Sequence, residues 1–160
     1  MVPLTRSLLA MHSTSSSIHR QLRLVDLENL AGSPVVSIDN ATEVAQLLQG
    51  VLPLGAADLQ AVATAHISGF AAKAAFPGAA VRWRSGKDGA DLALLDYAGE
   101  LPLSNFDELV VASADGIFAG LISKAKSVGL AVTLVADPAR ASRHLLSLAD
   151  AVIEFPAVAA

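Results

Sequence analysis

The sequence predicts a three-layer α/β sandwich built on a mainly parallel sheet of five or six strands. Three observations lead there. Short apolar runs alternate with longer helix-like segments, and such alternation implies right-handed crossovers between parallel strands. The runs are apolar on both sides, as strands covered by helices on both faces require. The chain of 160 residues carries no repeat or linker that would divide it. At that length one domain buries about 70% of the surface its unfolded chain exposes.

The elements follow in order. Residues 22–25 read as the first strand, and 42–52 as a helix with Asn40 as candidate N-cap. Residues 59–65 form the second strand, followed by a short Ala-rich helix that ends before Pro77-Gly78. Residues 81–84 are the third strand and 89–99 the next helix. The fourth strand spans 109–112, and a helix over 116–127 is stopped by Gly129. Residues 130–136 make the fifth strand, 140–148 the last helix, and 151–155 a strand that closes the sheet. Gly32-Ser33-Pro34, after the first strand, reads as a turn.

Composition removes several classes of protein. Hydrophobic residues make up 53% of the chain and charged ones 16%, the reverse of a disordered chain. There is no cysteine, which excludes a disulfide scaffold, thiolate zinc and a cysteine nucleophile. No apolar run approaches the roughly 18 residues of a membrane-spanning helix, so no membrane partner is expected. Fifteen acids against 11 bases give a net charge of −4, which argues against a binder working through a broad basic surface. The four histidines are scattered without zinc-ligand spacing. Neither a dinucleotide fingerprint nor a P-loop follows any strand.

Residues 1–20 hold no acid and no periodic pattern, and read as a loose leader ahead of a domain over 21–156, in preference to a transit peptide, which an acid-poor start with Ser and Arg also suggests. Their apolar stretch Leu8-Leu9-Ala10-Met11 is too short for a secretory signal, so a cytoplasmic location is expected. The apolar composition leaves room for a homodimer.

In an open parallel sheet, ligands sit beyond the carboxyl ends of the strands, so acids are read by their place along each strand. Asp26 directly follows the first strand, with Glu28 and Asn29 just beyond. Asp91 lies on the first turn of the helix after the third strand, in Gly86-Lys87-Asp88-Gly89-Ala90-Asp91. Asp115 lies three residues after the fourth strand, in Ser113-Ala114-Asp115-Gly116. Three segments thus deliver carboxylates to one edge of the sheet. Two such charges 4 Å apart repel by about 4 kcal/mol at an effective dielectric of 20. Either a proton or a cation must neutralise them. Hard oxygen donors without Cys or paired His favour Mg2+ or Mn2+ over zinc. Singly, Asp91 and Asp115 also read as helix caps. Asp26 needs a partner of some kind, because it ends a buried strand.

At these residues the sequence resembles the NYN domains, a branch of the PIN-like nuclease superfamily. The blocks are LVDLENL (24–30), GKDGADLALLD (86–96) and VVASADGIF (110–118), with GLAVTLVA (129–136) and SLADAVIEF (147–155) resembling the last strands. The resemblance implies a sheet of order 3-2-1-4-5 that brings Asp26 and Asp115 face to face, with Asp91 completing the site. It implies a magnesium- or manganese-dependent ribonuclease, or a nuclease-like module of RNA processing. Asp26, Asp91 and Asp115 would be catalytic metal ligands, and Asn29 and Ser113 would orient ligands or water. Many members carry a further acid where this chain has Ile117, so a single weakly held ion is implied. Asp88, ahead of the helix, is the better substitute for that acid than Asp96, which lies about 140° further around it.

RNA as partner requires phosphate contacts. Arg82, Arg84 and Lys87 lie on the approach to the acidic edge, either as such contacts or as solvated charges. Arg140, Arg143 and His144 share a helix face by spacing, with the same two readings. Trp83, inside a strand, is expected in the core, and Phe118 is expected to anchor its helix to the sheet. Two alternatives to the ribonuclease remain at this point. One is a catalytically weak RNA- or protein-binding module, suggested by Ile117. The other is a phosphatase with Asp26 as nucleophile, for which Asp137 is a lone late acid.

Overall fold

The structure, a computed structural model, describes residues 18–158. The leader expected over 1–20 lies outside the described residues as far as position 17. Arg20 is already fixed to the domain: its N–H donates to Asp107 Oδ2 at 2.8 Å and its guanidinium lies 4.7 Å over Phe106.

Six strands form one all-parallel sheet: β1 (Gln21–Asp26), β2 (Leu59–Thr64), β3 (Ala80–Trp83), β4 (Glu108–Ala112), β5 (Ala131–Ala136) and β6 (Ala151–Glu154). The order is β3-β2-β1-β4-β5-β6, so the sixth strand extends the expected order beside β5. β1 pairs with both β2 and β4, with Val25 opposite Val62 on one side and Ala112 on the other. It is buried along its whole length.

Alternation along β1 divides the core between two layers. Leu22 and Leu24 face a cluster that includes Leu94, Phe118, Ile122 and Leu145, contributed from α4 (Gly89–Gly99), the turn ahead of α5 (Ala119–Ser127), α5 itself and α6 (Arg143–Leu148). Val25 joins Val44, Leu48 and Phe76 on the opposite face, with α2 (Ile38–Val51) and α3 (Gly69–Ala75). Phe118 is fully buried and anchors its segment as expected. Arg23 is buried in the centre of the sheet, its Nε donating to Gln21 Oε1 at 3.0 Å and its Nη2 to the Leu52 carbonyl. That bond ties the end of α2 to the sheet and satisfies a guanidinium that would otherwise be costly to bury.

Helix starts are where the structure departs from the sequence reading. α2 begins at Ile38 because Ser37, not Asn40, is the N-cap: its Oγ accepts the Asn40 N–H at 3.1 Å. α6 begins at Arg143 with Ser142 as its cap, so Arg140 stands in the turn before it rather than on its face. A short helix, α1 (Leu27–Ala31), follows β1 without a spacer and was not expected. It ends at Gly32, whose φ of 68° is the left-handed conformation glycine adopts at no steric cost. The turn at Gly32-Ser33-Pro34 follows from it. The segment 116–118 is a single 3-10 turn ahead of α5.

Candidate metal centre

The carboxyl ends of β1 and β4 lie side by side and are fastened together by their own polar residues. Asp26 ends β1 and caps α1, its Oδ1 accepting the Asn29 N–H at 3.3 Å. Its Oδ2 accepts from the Ser113 hydroxyl, just past β4, at 3.0 Å. Asn29 Oδ1 accepts the Ala114 N–H at 3.0 Å, and Ser113 Oγ accepts the Asp115 N–H at 3.2 Å. Ser113 thus bridges Asp26 and the Asp115 backbone, and Asn29 ties α1 to the segment after β4.

Asp115 caps the following 3-10 turn, its Oδ1 accepting the Ile117 N–H at 3.0 Å. The capping expectation thus holds for Asp115. For Asp91 it does not. Asp91 lies in the first turn of α4 with only 7% of its surface exposed, and its buried Oδ1 has no hydrogen-bond partner. The residue at the N-cap of α4 is Asp88, whose side chain caps nothing. Asp88 has a φ of 56°, the only positive value at a non-glycine among the described residues. Such a conformation costs on the order of 1–3 kcal/mol. The next residue, Gly89, allows close backbone approach: a Cβ there would lie 2.2 Å from the Arg84 carbonyl oxygen.

Asp88, Asp91 and Asp115 each present a carboxylate oxygen such that the three atoms lie within 4.8 Å of one another. Asp26 stands outside this group of three, against Asp91. Burial and the adjoining Asp26 push the Asp91 carboxyl up to about 8, with Asp115 and Asp88 adding to the rise. Burial likewise raises Asp26, which its hydrogen bonds to Asp91, Asn29 and Ser113 partly offset. Two ionised carboxylates cannot hydrogen-bond each other, so at neutral pH in the absence of a cation the Asp26–Asp91 pair retains a proton.

These acids line an open cleft of about 320 Å³ at the carboxyl edge of the sheet. Arg84 and Arg140 stand in its wall. Arg84 also pairs with Asp96 at 3.2 Å, and Asp96 is not in the group of three. Arg140 has no ion pair among the described residues. Lys87 is exposed and does not line the cleft, and Arg82 lies 5.0 Å over the Tyr97 ring. Ile117 packs against the larger core cluster rather than facing the cleft. Trp83 corrects the sequence reading: it ends the edge strand β3 and is 48% exposed.

Sequence reasoning considered Glu28 only beside Asp26 in the phosphatase alternative; its carboxylate accepts from Thr64 Oγ1 at 2.9 Å and from the Ala65 N–H. It clamps the end of β2 to α1 and lines the cleft. Its place two residues after Asp26, on the first turn of an unforeseen helix, was the available signal.

The three carboxylates could hold a metal ion. Among the described residues no helix is long and apolar enough to cross a membrane. No protein-family model and no curated protein matches the chain. A crystal structure of a protein of unknown function from Vibrio parahaemolyticus is similar in fold, with a TM-score of 0.63 and 17% identity. The similarity covers 86% of this chain and 93% of that one.

Proposed function

We propose that the chain is a divalent-metal-dependent ribonuclease that hydrolyses RNA phosphodiesters at this cleft. The observation that carries the reading is Asp91, buried with an oxygen that no donor satisfies, beside the carboxylates of Asp88 and Asp115. A buried polar atom without a partner costs about 1–3 kcal/mol, and a cation at this point removes that cost and the mutual repulsion together.

Asp88, Asp91 and Asp115 would hold the ion. When bound, magnesium or manganese supplies charge neutralisation at a phosphate and lowers the pKa of water. Ser113 and Asn29 keep Asp26 in place beside Asp91, and Asp26 takes part in holding the proton that the pair gives up as the site charges. Arg84 and Arg140, which line the same cleft, would meet phosphate oxygens. The choice of RNA rests on the resemblance of the blocks around Asp26, Asp91 and Asp115 to the NYN domains.

The test is cleavage of a labelled single-stranded RNA in millimolar manganese or magnesium. Cleavage should stop with chelator and fall at least a hundredfold in both Asp91→Asn and Asp115→Asn. Activity that survives chelation or both substitutions contradicts the proposal.

A second reading, a binding module with little turnover, is favoured by one observation. Both oxygens of Asp26 and Oδ1 of Asp115 already accept hydrogen bonds from the protein, which leaves few lone pairs for an ion. RNA binding without cleavage at any manganese concentration would select it.

A further inference from the structure

Away from the acidic cleft, the edge of the sheet presents an unusual surface. Trp83 at the end of β3 is 48% exposed, and Phe70 on α3 and Ile67 just before it are 76% and 71% exposed. Trp83 and Phe70 line one shallow groove of about 310 Å³ together with His66, Gly69 and Lys73. A soluble monomer seldom leaves large apolar side chains grouped in this way unless the group binds something.

The indole is held in place by the fold. Gly69 has an ordinary helical φ of −61°, so its backbone does not require glycine. A Cβ at Gly69 would lie 3.2 Å from Trp83 Cε3 and 3.5 Å from Cδ2, a tight contact that glycine relieves. Glycine inside a helix costs roughly 0.5–1 kcal/mol relative to alanine, and here it lets the indole lie against α3. His66 is fixed in turn, its N–H 3.2 Å and its Nδ1 2.8 Å from Ser85 Oγ.

Charge and position indicate the occupant. Lys73 has no ion pair among the described residues and stands beside Phe70. On the other side of Trp83 a second groove holds Arg82 and Arg84 with Asp96 and Glu100. The surface is thus richer in cations than acids on a chain whose net charge is −4. Arg84 lines both this second groove and the acidic cleft, so its side chain stands between Trp83 and the acids. Exposed aromatic faces flanked by cations are how proteins hold single-stranded nucleic acid, with bases stacked and backbone phosphates paired.

We propose that Trp83 and Phe70 form a stacking platform for bases of single-stranded RNA, with Lys73 on its phosphates, leading the strand past Arg84 into the acidic cleft. This rests on the ribonuclease reading and names how its substrate is held. The substrate class follows: unpaired RNA, since a base in a duplex offers no free face.

The chain has a single tryptophan, so tryptophan emission, excited beyond the tyrosine band, reports on the platform alone. Oligoadenylate titrated into the full chain in chelator should quench that emission saturably, while inorganic polyphosphate, which has no bases, should not. Phe70→Ala should weaken binding about tenfold, and Lys73→Gln should weaken it less and flatten its salt dependence. Val128→Ala, on the exposed end of α5, should leave it unchanged. Unaltered emission at millimolar oligoadenylate, or equal affinity in Phe70→Ala, overturns the proposal. So does a dimer that Phe70→Ala converts to monomer in sedimentation, since a second copy then covers this face. Manganese-dependent cleavage in the same preparation separates the two readings. Quenching without cleavage supports the platform and sinks the nuclease, and cleavage without quenching sinks the platform alone.

Discussion

Asp91 and Asp26 lie within hydrogen-bonding reach of each other at the carboxyl edge of the sheet, one from the first turn of α4 and one from the end of β1. Asp26 is fully engaged by Ser113 and Asn29, whereas Asp91 keeps one buried oxygen without a donor. The asymmetry gives them different work. Asp26 joins β1 to β4, and Asp91 faces the cleft with Asp88 and Asp115. A site built for an ion pays in stability when the ion is absent, and the predictions follow from that trade.

Asp91→Asn should raise the melting temperature of the chelator-treated protein at pH 8 while abolishing ion binding. The amide removes one buried charge and supplies N–H donors to Asp26. Each 1 kcal/mol gained is worth about 2–4 °C for a domain of this size, so a rise of several degrees is expected by calorimetry. A drop in melting temperature would show that Asp91 is structural.

The pH dependence of stability has a defined sign. The folded Asp91 carboxyl titrates near 8, against an ordinary value of 3.8, so between those values the folded state binds more protons than the unfolded one. Stability of the metal-free protein therefore falls as pH rises through this window and levels off above it. Denaturant unfolding in chelator at pH 5, 6, 7 and 8 should show the decline, and Asp91→Asn should largely remove it. Because the ion displaces the proton, manganese affinity should rise with pH over the same window.

Ser113→Ala takes the hydroxyl from Asp26 Oδ2 and an acceptor from the Asp115 N–H. Ion affinity should fall on the order of 10–100-fold, the usual effect of losing a partner that orients ligands. Stability should fall by about 1–3 kcal/mol, because both partners are left unsatisfied. Titration calorimetry and denaturant unfolding check the two numbers separately. An unchanged ion affinity would mean that Asp26 and Asp115 are held without Ser113.

The parallel sheet and the convergence of acids at one edge were legible because each depends on local pattern, whereas the strand order was implied by the resemblance alone. Doubly buried strands are continuous apolar runs, and an acid directly after such a run has to end at the carboxyl edge. Helix starts were less legible. Ser37 and Asn40 are both good caps, and only packing of Val44 and Leu48 on the sheet decides between them. α1 has five residues and abuts β1, too short for any period to show. Trp83 was misread because a four-residue strand at the sheet edge looks, in sequence, like one in the middle. The alliance of Asp88 with Asp91 and Asp115 depends on a left-handed turn at Asp88, which sequence signals only through its neighbouring glycines.

That turn is testable. Asp88→Ala and Asp88→Gly both remove the carboxylate and should both weaken manganese binding. Alanine should be less stable than glycine by about 1–2 kcal/mol, the penalty for a Cβ in the left-handed conformation. Equal stabilities would place Asp88 in an ordinary backbone conformation.

Ile117→Asp should not create a better nuclease. Ile117 packs on the core beside Phe118, so a carboxylate there loses apolar contact and should cost on the order of 1–3 kcal/mol. Cleavage assays should show no gain. A marked gain would mean that this position faces the ion after all.

The most direct test is calorimetric titration of the full chain with manganese near pH 7.5, alongside Asp88→Asn, Asp91→Asn and Asp115→Asn. One ion per chain is predicted, with binding lost or severely weakened in each variant. No binding to the wild type at millimolar manganese, or binding that all three variants retain, would contradict a cation site shared by these aspartates.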